Sequence, residues 1–208
     1  MKASNKALKE LTYKIEGCLK CYKGFKQYSE EDRIRFREWY NQGPWFYPPY
    51  KKVMGFLGDG EVVFVCQRPS TGTFPDKKVK LFYKLIEKYG FKDAHITDLV
   101  KCRRKAKEPM DKMIQNCLPF LEQEIEILKP KLIVAVGKKV KRILEKKFAN
   151  KEIEIEYITH YAYRGKDGNK RLVSDFSRLR KKAHNRRVIK HIKCHSSRTN
   201  SRYLVKKS

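Results

Sequence analysis

The sequence predicts an α/β protein: a three-layer α/β/α sandwich with a central, mainly parallel sheet of four strands. Four apolar segments, 61–66, 94–100, 131–137 and 152–159, alternate with segments whose apolar residues recur at helical spacing. Such alternation is typical of a parallel sheet covered by helices on both faces. The nearly continuous apolar segment 131–137 suits a central strand, whereas 152–159 alternates polar and apolar residues and suits an edge.

The connecting segments are predicted from periodicity and from helix-breaking residues. Amphipathic helices are predicted at 4–17, 30–41, 76–89, 110–128, 138–148 and 169–184. Pro119 falls inside the fourth helix, where a proline is expected to kink it. The loop 43–52 is dense in aromatic residues and proline, and we expect its rings to pack over the edge of the sheet. Stacking on unpaired bases is the alternative.

Positive charge dominates the composition. The 208 residues include 50 Lys and Arg against 23 Asp and Glu, a formal net charge of +27. From Arg164 onward, 16 Lys and Arg stand against two Asp, so half of the excess lies in the last 45 residues. This predicts DNA or another nucleic acid as partner, with a Lys-rich solubility surface as the alternative. We expect one domain over 1–185 and a basic arm over 186–208.

The sequence also suggests a cellular compartment. No apolar run approaches the length of a membrane span, and no secretory signal precedes the first helix. We therefore expect a soluble cytoplasmic protein, monomeric and associated with the nucleoid, and no membrane partner. Disulfide bonds are disfavoured in that compartment.

Four of the six cysteines form a pattern that could hold an inorganic centre. Cys18 and Cys21 form a CxxC pair, Cys102 follows after a gap of 80 residues, and 14 residues separate Cys102 from Cys117. Cys117 lies on the apolar face of the predicted helix 110–128, so its thiol should point inward. Disulfides, a zinc site and an iron–sulfur cluster are the alternatives. Zinc usually takes two close pairs, whereas cubane clusters accept looser spacing.

The segment 96–137, ITDLVKCRRKAKEPMDKMIQNCLPFLEQEIEILKPKLIVAVG, resembles the central block of the iron–sulfur uracil-DNA glycosylases, family four and its relatives. That block has a strand ending in Thr-Asn, then Val-Lys-Cys-Arg, a proline-rich turn and a helix with Asn-Cys. The resemblance covers most of residues 10–180. Cys66 and Cys194 fall outside it, as a buried thiol and a tail residue. It implies a [4Fe-4S] cluster held by Cys18, Cys21, Cys102 and Cys117.

The candidate catalytic residues follow strands, because ligands of an open parallel sheet bind at the carboxyl ends of its strands. By position, these loops match motifs of the uracil-DNA glycosylase superfamily. The resemblance implies catalytic roles for Gln67, Asp98 and His160, with His160 as the donor that stabilises the leaving base. Arg68 stands where some families have the Asp or Asn that positions water, and an arginine cannot act as a general base. Water activation is therefore weakened or moves to Asp98.

Asp98 is the most consequential departure from the family pattern. An Asn at this place reads the flipped base, because its amide both donates and accepts. A carboxylate only accepts, which favours donor-bearing bases such as modified cytosines, hypoxanthine and oxidised guanine. A protonated Asp98 in a buried pocket would do both. The alternative is that Asp98 caps the loop that leads to Cys102.

The remaining site predictions concern the surroundings of the base. Phe74, seven residues after Gln67, is the candidate ring for stacking on it. Tyr161 stands where the family has a proline after the histidine. The residues assigned to base binding are Arg68, Pro69, Ser70, Phe74 and Tyr161. Those assigned to DNA, where one of them would fill the gap left by a flipped base, are Tyr163, Arg164 and Lys166.

Two functions from different classes are compatible with these features. The first is a monofunctional DNA glycosylase, a hydrolase that flips a damaged or modified base and cleaves its N-glycosidic bond in base excision repair. Its expected substrates are deaminated or donor-bearing bases rather than strictly uracil. The second is a non-catalytic nucleic-acid-binding protein of the same fold. The glycosylase requires Gln67, Asp98 and His160 to converge, and the retained histidine favours it.

Overall fold

The computed structural model describes residues 3–21, 29, 31, 44–69, 74–102 and 109–185. Apart from residue 31, the helix predicted at 30–41 lies outside them, as do the arm 186–208 and Cys194. A short 3-10 turn spans Gly55–Leu57. The other elements are, in order, α1 (Ala3–Glu16), β1 (Val62–Cys66), α2 (Lys77–Lys88), β2 (His95–Asp98), α3 (Met110–Leu128), β3 (Leu132–Val136), α4 (Lys138–Lys147), β4 (Glu154–Ile158) and α5 (Gly168–Asn185).

The four strands form one sheet in the order β2-β1-β3-β4, and each pairing is parallel. β1 and β3 are central and are buried along their whole length. β4 lies at an edge and is only partly buried. The predicted central position of 131–137 and edge position of 152–159 are therefore confirmed. Since the strands are parallel, the residues that follow them meet at one edge of the sheet.

Helices cover both faces of the sheet and complete the predicted sandwich. On one face, Phe64 of β1 packs on Phe82 of α2 and Phe176 of α5, with ring centroids 5.8 and 5.9 Å away. On the other face, the neighbouring Val65 packs in a cluster with residues of α3 and α4 such as Leu121. Successive strand residues point to opposite faces, so each strand serves both layers. In the described part of the chain, no helix is long and apolar enough to cross a membrane.

Local signals in the sequence fix the helix ends. The Asp76 side chain caps α2, because its Oδ1 accepts from the N–H groups of Lys78 and Val79 over 2.8 Å each. Pro109 precedes α3, where the first N–H groups have no partner within the helix. Pro119 lies inside α3, which continues through it to Leu128.

The aromatic loop packs over the β2 edge of the sheet, which confirms the favoured prediction for it. Tyr47 is 3% exposed. The ring of Phe56 lies between those of Phe46 and His95, with both pairs of centroids 4.7 Å apart. The Trp45 N–H donates to the Lys101 carbonyl over 3.0 Å. These contacts carry the loop to the carboxyl end of β2.

Candidate active site

Main-chain hydrogen bonds hold the ends of β1 and β2 side by side. Cys66 and Asp98 are partners in register at the ends of these strands. Beyond them, the Val100 N–H donates to the Gln67 carbonyl over 3.1 Å. Gln67 and Asp98 therefore lie on adjacent strand ends, as their positions after predicted strands suggested.

The ends of β3 and β4 are joined in the same way. The Gly137 N–H donates to the Ile158 carbonyl over 3.0 Å. Gly137 has a φ of 109°, which disfavours other residues, and a Cβ there would lie 3.7 Å from the His160 side chain. The loop after β3 therefore lies directly against His160.

Asp98 is a buried acid with one hydrogen-bonded oxygen. It is 2% exposed, and its Oδ1 accepts a long hydrogen bond from the Tyr47 hydroxyl over 3.4 Å. Its Oδ2 is buried without a hydrogen-bond partner among the described residues. Among the described residues, the donor to Asp98 is a side-chain hydroxyl, and no backbone N–H of the loop that leads to Cys102 caps its carboxyl group.

Burial determines the charge state of Asp98. Desolvation, with a smaller contribution from Glu124, raises its pKa to about 8, against the lowering effects of Lys101 and Tyr47. The neutral acid therefore predominates at pH 7. Its O–H donates and its carbonyl oxygen accepts, so it matches the hydrogen-bonding capacity of the family's Asn amide. The protonated alternative from the sequence is the form that this environment favours.

Neutral hydroxyl and thiol groups surround Asp98. The Tyr47 hydroxyl also lies 3.3 Å from the Tyr161 hydroxyl, so Tyr47 links Asp98 to the loop after β4. Burial raises the pKa of Tyr47, Tyr161 and Cys66 well above their ordinary values, and the Asp98 charge would raise each further. These groups keep their protons at neutral pH. Cys66 is buried with a free thiol, as predicted.

His160 is held as a neutral ring. Burial lowers its pKa, and its Nδ1 accepts the Ala162 N–H over 3.0 Å, which leaves the proton of the neutral ring on Nε2. Its ring stacks on Tyr161 with centroids 4.5 Å apart. His160 is thus separated from Asp98 by Tyr161 and Tyr47, on the same edge of the sheet.

Asp175 of α5 fixes the backbone immediately before His160. Its Oδ2 accepts from both the N–H and the hydroxyl of Thr159, each over 2.7 Å. Arg178 donates to the other carboxylate oxygen over 3.2 Å. A charged acceptor with two short bonds orients the start of the loop, so α5 positions the histidine.

The predicted base-binding residues occupy several environments. Gln67 and Arg68 are half-buried, Pro69 is buried, and Ser70 lies outside the described residues. Phe74 is half-buried in an aromatic cluster, with ring centroids 5.7, 5.9 and 5.6 Å from those of Trp45, Tyr50 and Tyr83. Its proposed stacking on a base remains a prediction.

The predicted DNA-contacting residues lie on the exposed loop after β4. Tyr163 is 46% exposed, and Arg164 and Lys166 are exposed. The Tyr163 ring folds back over Gly165, where an added Cβ would lie 2.4 Å from it. A side chain at Gly165 would displace the exposed Tyr163 ring, so the two residues form a close contact on the loop that follows His160.

Tyr47 and Asp175 are site residues that the sequence did not predict. Tyr47 was recognised only as part of an aromatic loop, and its partner Asp98 is 51 residues away. Asp175 lies in α5, 16 residues after Thr159. An acid on a helix face, 16 residues after the residue that it binds, gives no distinct signal of its own.

The cysteines predicted as cluster ligands lie between α1 and α3. Leu11 and Ile15 of α1 pack on Phe120 of α3, which brings the CxxC pair at the end of α1 to α3. Cys18 is half-buried and forms no disulfide among the described residues. The other members of the set are buried in one apolar cluster and form no disulfide among the described residues: Cys21, Cys102 and Cys117.

Lys101 and Asn116 give these cysteines surroundings that thiolate ligands of a metal could use, whereas burial favours the neutral thiol of Cys117 in the metal-free protein. Burial, opposed by hydrogen bonding and charge from Lys101, raises the pKa of Cys117 to about 11, and the charges of Cys21 and Cys18 would raise it further because they lie close to it. Asn116 Nδ2 donates to Cys21 Sγ over 3.4 Å. Such N–H donors to sulfur are the surroundings that thiolate ligands use. As the described side chains stand, no three Cys, His, Asp or Glu form a metal-binding group.

Comparison with known proteins agrees with the observed order of strands and of the residues that follow them. A 46-residue segment is 46% identical to a type-4 uracil-DNA glycosylase of Pyrobaculum aerophilum, over 22% of this chain and 24% of that protein. The chain thus matches about a quarter of the length of this curated relative. The profile of the uracil DNA glycosylase superfamily matches residues 55–195, which include all four strands and the residues that follow them. Because that match covers more than half of the chain, the protein belongs to the uracil DNA glycosylase superfamily.

Proposed function

We propose that this protein is a monofunctional DNA glycosylase that removes deaminated or donor-bearing bases, rather than strictly uracil, in base excision repair. The observation that carries the proposal is the presence of a buried neutral acid and a neutral histidine on one sheet edge of a superfamily member, linked through Tyr47 and Tyr161. Asp98 supplies hydrogen-bonding capacity of both kinds, and His160 supplies a donor. A protein that only binds DNA has no need of this pair.

Asp98 would read the edge of the flipped base. Hypoxanthine and uracil each present a carbonyl acceptor beside a ring N–H donor. The neutral carboxyl can donate its proton to the carbonyl and accept from the N–H. Above a pH of about 8 the ionised form only accepts, so it would favour bases that present amino donors. Substrate preference would therefore change with pH.

His160 would stabilise the departing base. Breaking the N-glycosidic bond leaves the electron pair on the base, and its carbonyl oxygen gains negative charge. The proton on His160 Nε2 can form a hydrogen bond to that oxygen, and a neutral donor fixed by Tyr161 and the Ala162 N–H needs no rearrangement. A water molecule adds to the sugar C1′, and its proton is released to solvent or to the base.

Arg68 stands in the position where some families have the residue that positions the water. Because an arginine cannot act as a general base, the water has no general base in that position. Gln67, half-buried beside Asp98, can orient the water by hydrogen bonds but cannot take its proton at neutral pH. We therefore propose a slow enzyme that depends mainly on departure of the base. Loss of general-base help typically costs about two to four orders of magnitude in rate.

DNA would bind through the basic surface around this edge. The net charge of +27 favours a polyanion, and the exposed residues Arg164 and Lys166 follow His160 directly. Tyr163 or Arg164 would fill the gap that the flipped base leaves. Cys18, Cys21, Cys102 and Cys117 would hold the [4Fe-4S] cluster. When bound, the cluster would supply a structural cross-link between α1, α3 and the segment after β2.

Oligonucleotides that each carry one lesion provide the test, with abasic sites detected after alkaline treatment. We expect cleavage at hypoxanthine and uracil at pH 7 and a shift towards modified cytosines and other donor-bearing bases at pH 9. His160→Ala should lose most activity on every substrate. Lys131→Met, which alters an exposed lysine paired with Glu61, is the control. Tight DNA binding without cleavage of any lesion would instead support the non-catalytic alternative.

A further inference from the structure

A buried ion pair lies behind the base-reading position. Lys101 is 2% exposed and Glu124 is fully buried. The Lys101 Nζ lies 2.7 and 2.8 Å from the two carboxylate oxygens of Glu124, and it donates to the Thr97 hydroxyl over 2.6 Å. The His95 ring lies 3.6 Å from the same carboxylate. The pair thus joins the end of β2 to the middle of α3.

Stability alone does not account for this pair. The neighbouring residues of α3 and the sheet form an apolar cluster, including Leu99, Val100 and Leu121. Two charges in such surroundings lose their hydration, and replacing a buried pair by apolar residues of similar volume is often neutral or stabilising. The pair is therefore expected to have a role beyond holding α3 to the sheet.

Lys101 is connected to the parts that build the site. It follows Asp98 by three residues, and its side chain returns to Thr97, the residue before Asp98. Its carbonyl accepts from Trp45, which lies in the loop that carries Tyr47. Hydrogen bonds to Thr97 and Trp45 therefore hold the short segment from Asp98 to Lys101 in place.

The charges of the pair act on Asp98 with opposite sign. The ammonium of Lys101 lowers the pKa of Asp98, and the carboxylate of Glu124 raises it by a smaller amount. The other titratable groups that act on Asp98 in the described part of the chain are protonated at neutral pH because burial raises the pKa of each; they are Tyr47, Cys66, Tyr83 and Tyr161. The charged groups that act on Asp98 in this part of the chain are therefore Lys101 and Glu124. The His95 ring lies next to Glu124.

We propose that the buried Lys101–Glu124 pair is a specificity-determining element that, in addition to burial, tunes the balance between the neutral acid and the carboxylate with which Asp98 meets the base. The proposal rests on the proposed function, in which Asp98 reads the base. Neither residue touches the substrate. Both act through Asp98 as positioning residues, one favouring its charged form and the other opposing it.

Substitution of the two partners should move the pH dependence in opposite directions. In Lys101→Met, the charge that favours ionisation of Asp98 is lost. The pH at which uracil cleavage declines should therefore rise by about one unit. Above the midpoint, this corresponds to a roughly tenfold increase in the neutral fraction of Asp98. In Glu124→Gln, the opposing charge is lost, so the midpoint should fall. A role limited to structure would reduce activity in both variants and leave the midpoint unchanged.

The double variant Lys101→Met/Glu124→Leu covers the case in which a single variant does not fold. It leaves no unpaired buried charge, and its midpoint should rise by less than one unit, since Lys101 acts on Asp98 more strongly than Glu124. Lys131→Met removes the exposed pair with Glu61 and should leave the midpoint in place. All proteins are compared at equal iron and sulfide content, because Lys101 precedes Cys102.

Titration of the Asp98 carboxyl by carbon-13 NMR separates this inference from the proposed function. Its signal is assigned by its absence from Asp98→Asn. Opposite shifts in the two single variants, or an upward shift in the double variant, support the inference even if no lesion is cleaved, in which case the proposed function fails. An unchanged Asp98 midpoint in all folded variants overturns it, even where the enzyme cleaves DNA.

Discussion

The Tyr47 hydroxyl bridges Asp98 and Tyr161, lying 3.4 Å from the Asp98 Oδ1 and 3.3 Å from the Tyr161 hydroxyl. One loop residue thus joins the ends of β2 and β4, which are the two outer strands of the sheet. By occupying Oδ1, it leaves Oδ2 as the oxygen of Asp98 without a partner among the described residues. Asp98, the proposed base-reading group, is therefore oriented from outside its own strand.

Tyr47→Phe should raise the midpoint of Asp98 titration. The hydrogen bond from Tyr47 favours the charged form, so its removal raises the pKa of Asp98 by up to about one unit. Uracil cleavage should then persist to higher pH. The matched control is Tyr83→Phe, which removes a hydroxyl bound to the Pro48 carbonyl over 2.9 Å in the same aromatic cluster. Equal midpoints in Tyr47→Phe and wild type would contradict the bridge.

Asp98→Asn should stabilise the protein more at high pH than at low pH. Because the folded state raises the pKa of Asp98 to about 8, the folded protein retains a proton that the unfolded chain loses near pH 4. Asp98 therefore makes its full contribution to the free energy of unfolding below about pH 4, and this contribution is lost as the pH rises through about 8. Denaturant titrations at pH 5 and pH 9 measure the difference between variant and wild type. A difference that is independent of pH would show that Asp98 ionises normally.

Strand periodicity was enough to predict most of this fold. Continuous apolar residues placed β3 at the centre, and alternation placed β4 at the edge, because burial on one or two faces directly selects side chains. His160 and Asp98 were found because they lie at strand ends, where the resemblance to the glycosylases places site residues. The Tyr47–Asp98 contact spans 51 residues and leaves no local pattern. The sequence does not distinguish Lys101 from the other basic residues, because its burial depends on Glu124, 23 residues later.

His160→Ala should depress cleavage of every substrate by roughly two to three orders of magnitude. The donor to the leaving base is lost whichever base Asp98 reads, so the ratio between substrates should stay the same. Asp175→Asn keeps an oxygen acceptor for Thr159 but removes its charge, and it should cause a smaller loss of the same kind. Single-turnover rates on two lesions measure both effects. Full activity in His160→Ala would exclude it as the donor.

Cys117→Ala should lower iron and sulfide content and reduce the thermal stability of the protein. Protein purified without oxygen should be brown, with about four irons and four sulfides per chain if the cubane is present. Cys66→Ala is the matched control, because Cys66 is also a buried free thiol and is not among the proposed ligands. It should keep the full metal content. Stoichiometric zinc without sulfide in the wild-type protein would contradict the cluster.

Truncation after Asn185 should weaken DNA binding without changing which base is preferred. Residues 186–208 carry eight Lys and Arg and no acidic residue, so their removal lowers the formal net charge from +27 to +19. Each phosphate contact releases counterions, and its loss flattens the dependence of log affinity on log salt by about 0.9. Base preference should persist, because phosphate contacts carry no sequence information and Asp98 lies within the retained domain. The truncation leaves α5 whole, so Asp175 still holds the loop of His160. Binding isotherms at several salt concentrations measure the slope, and an unchanged slope would show that the arm makes no phosphate contacts.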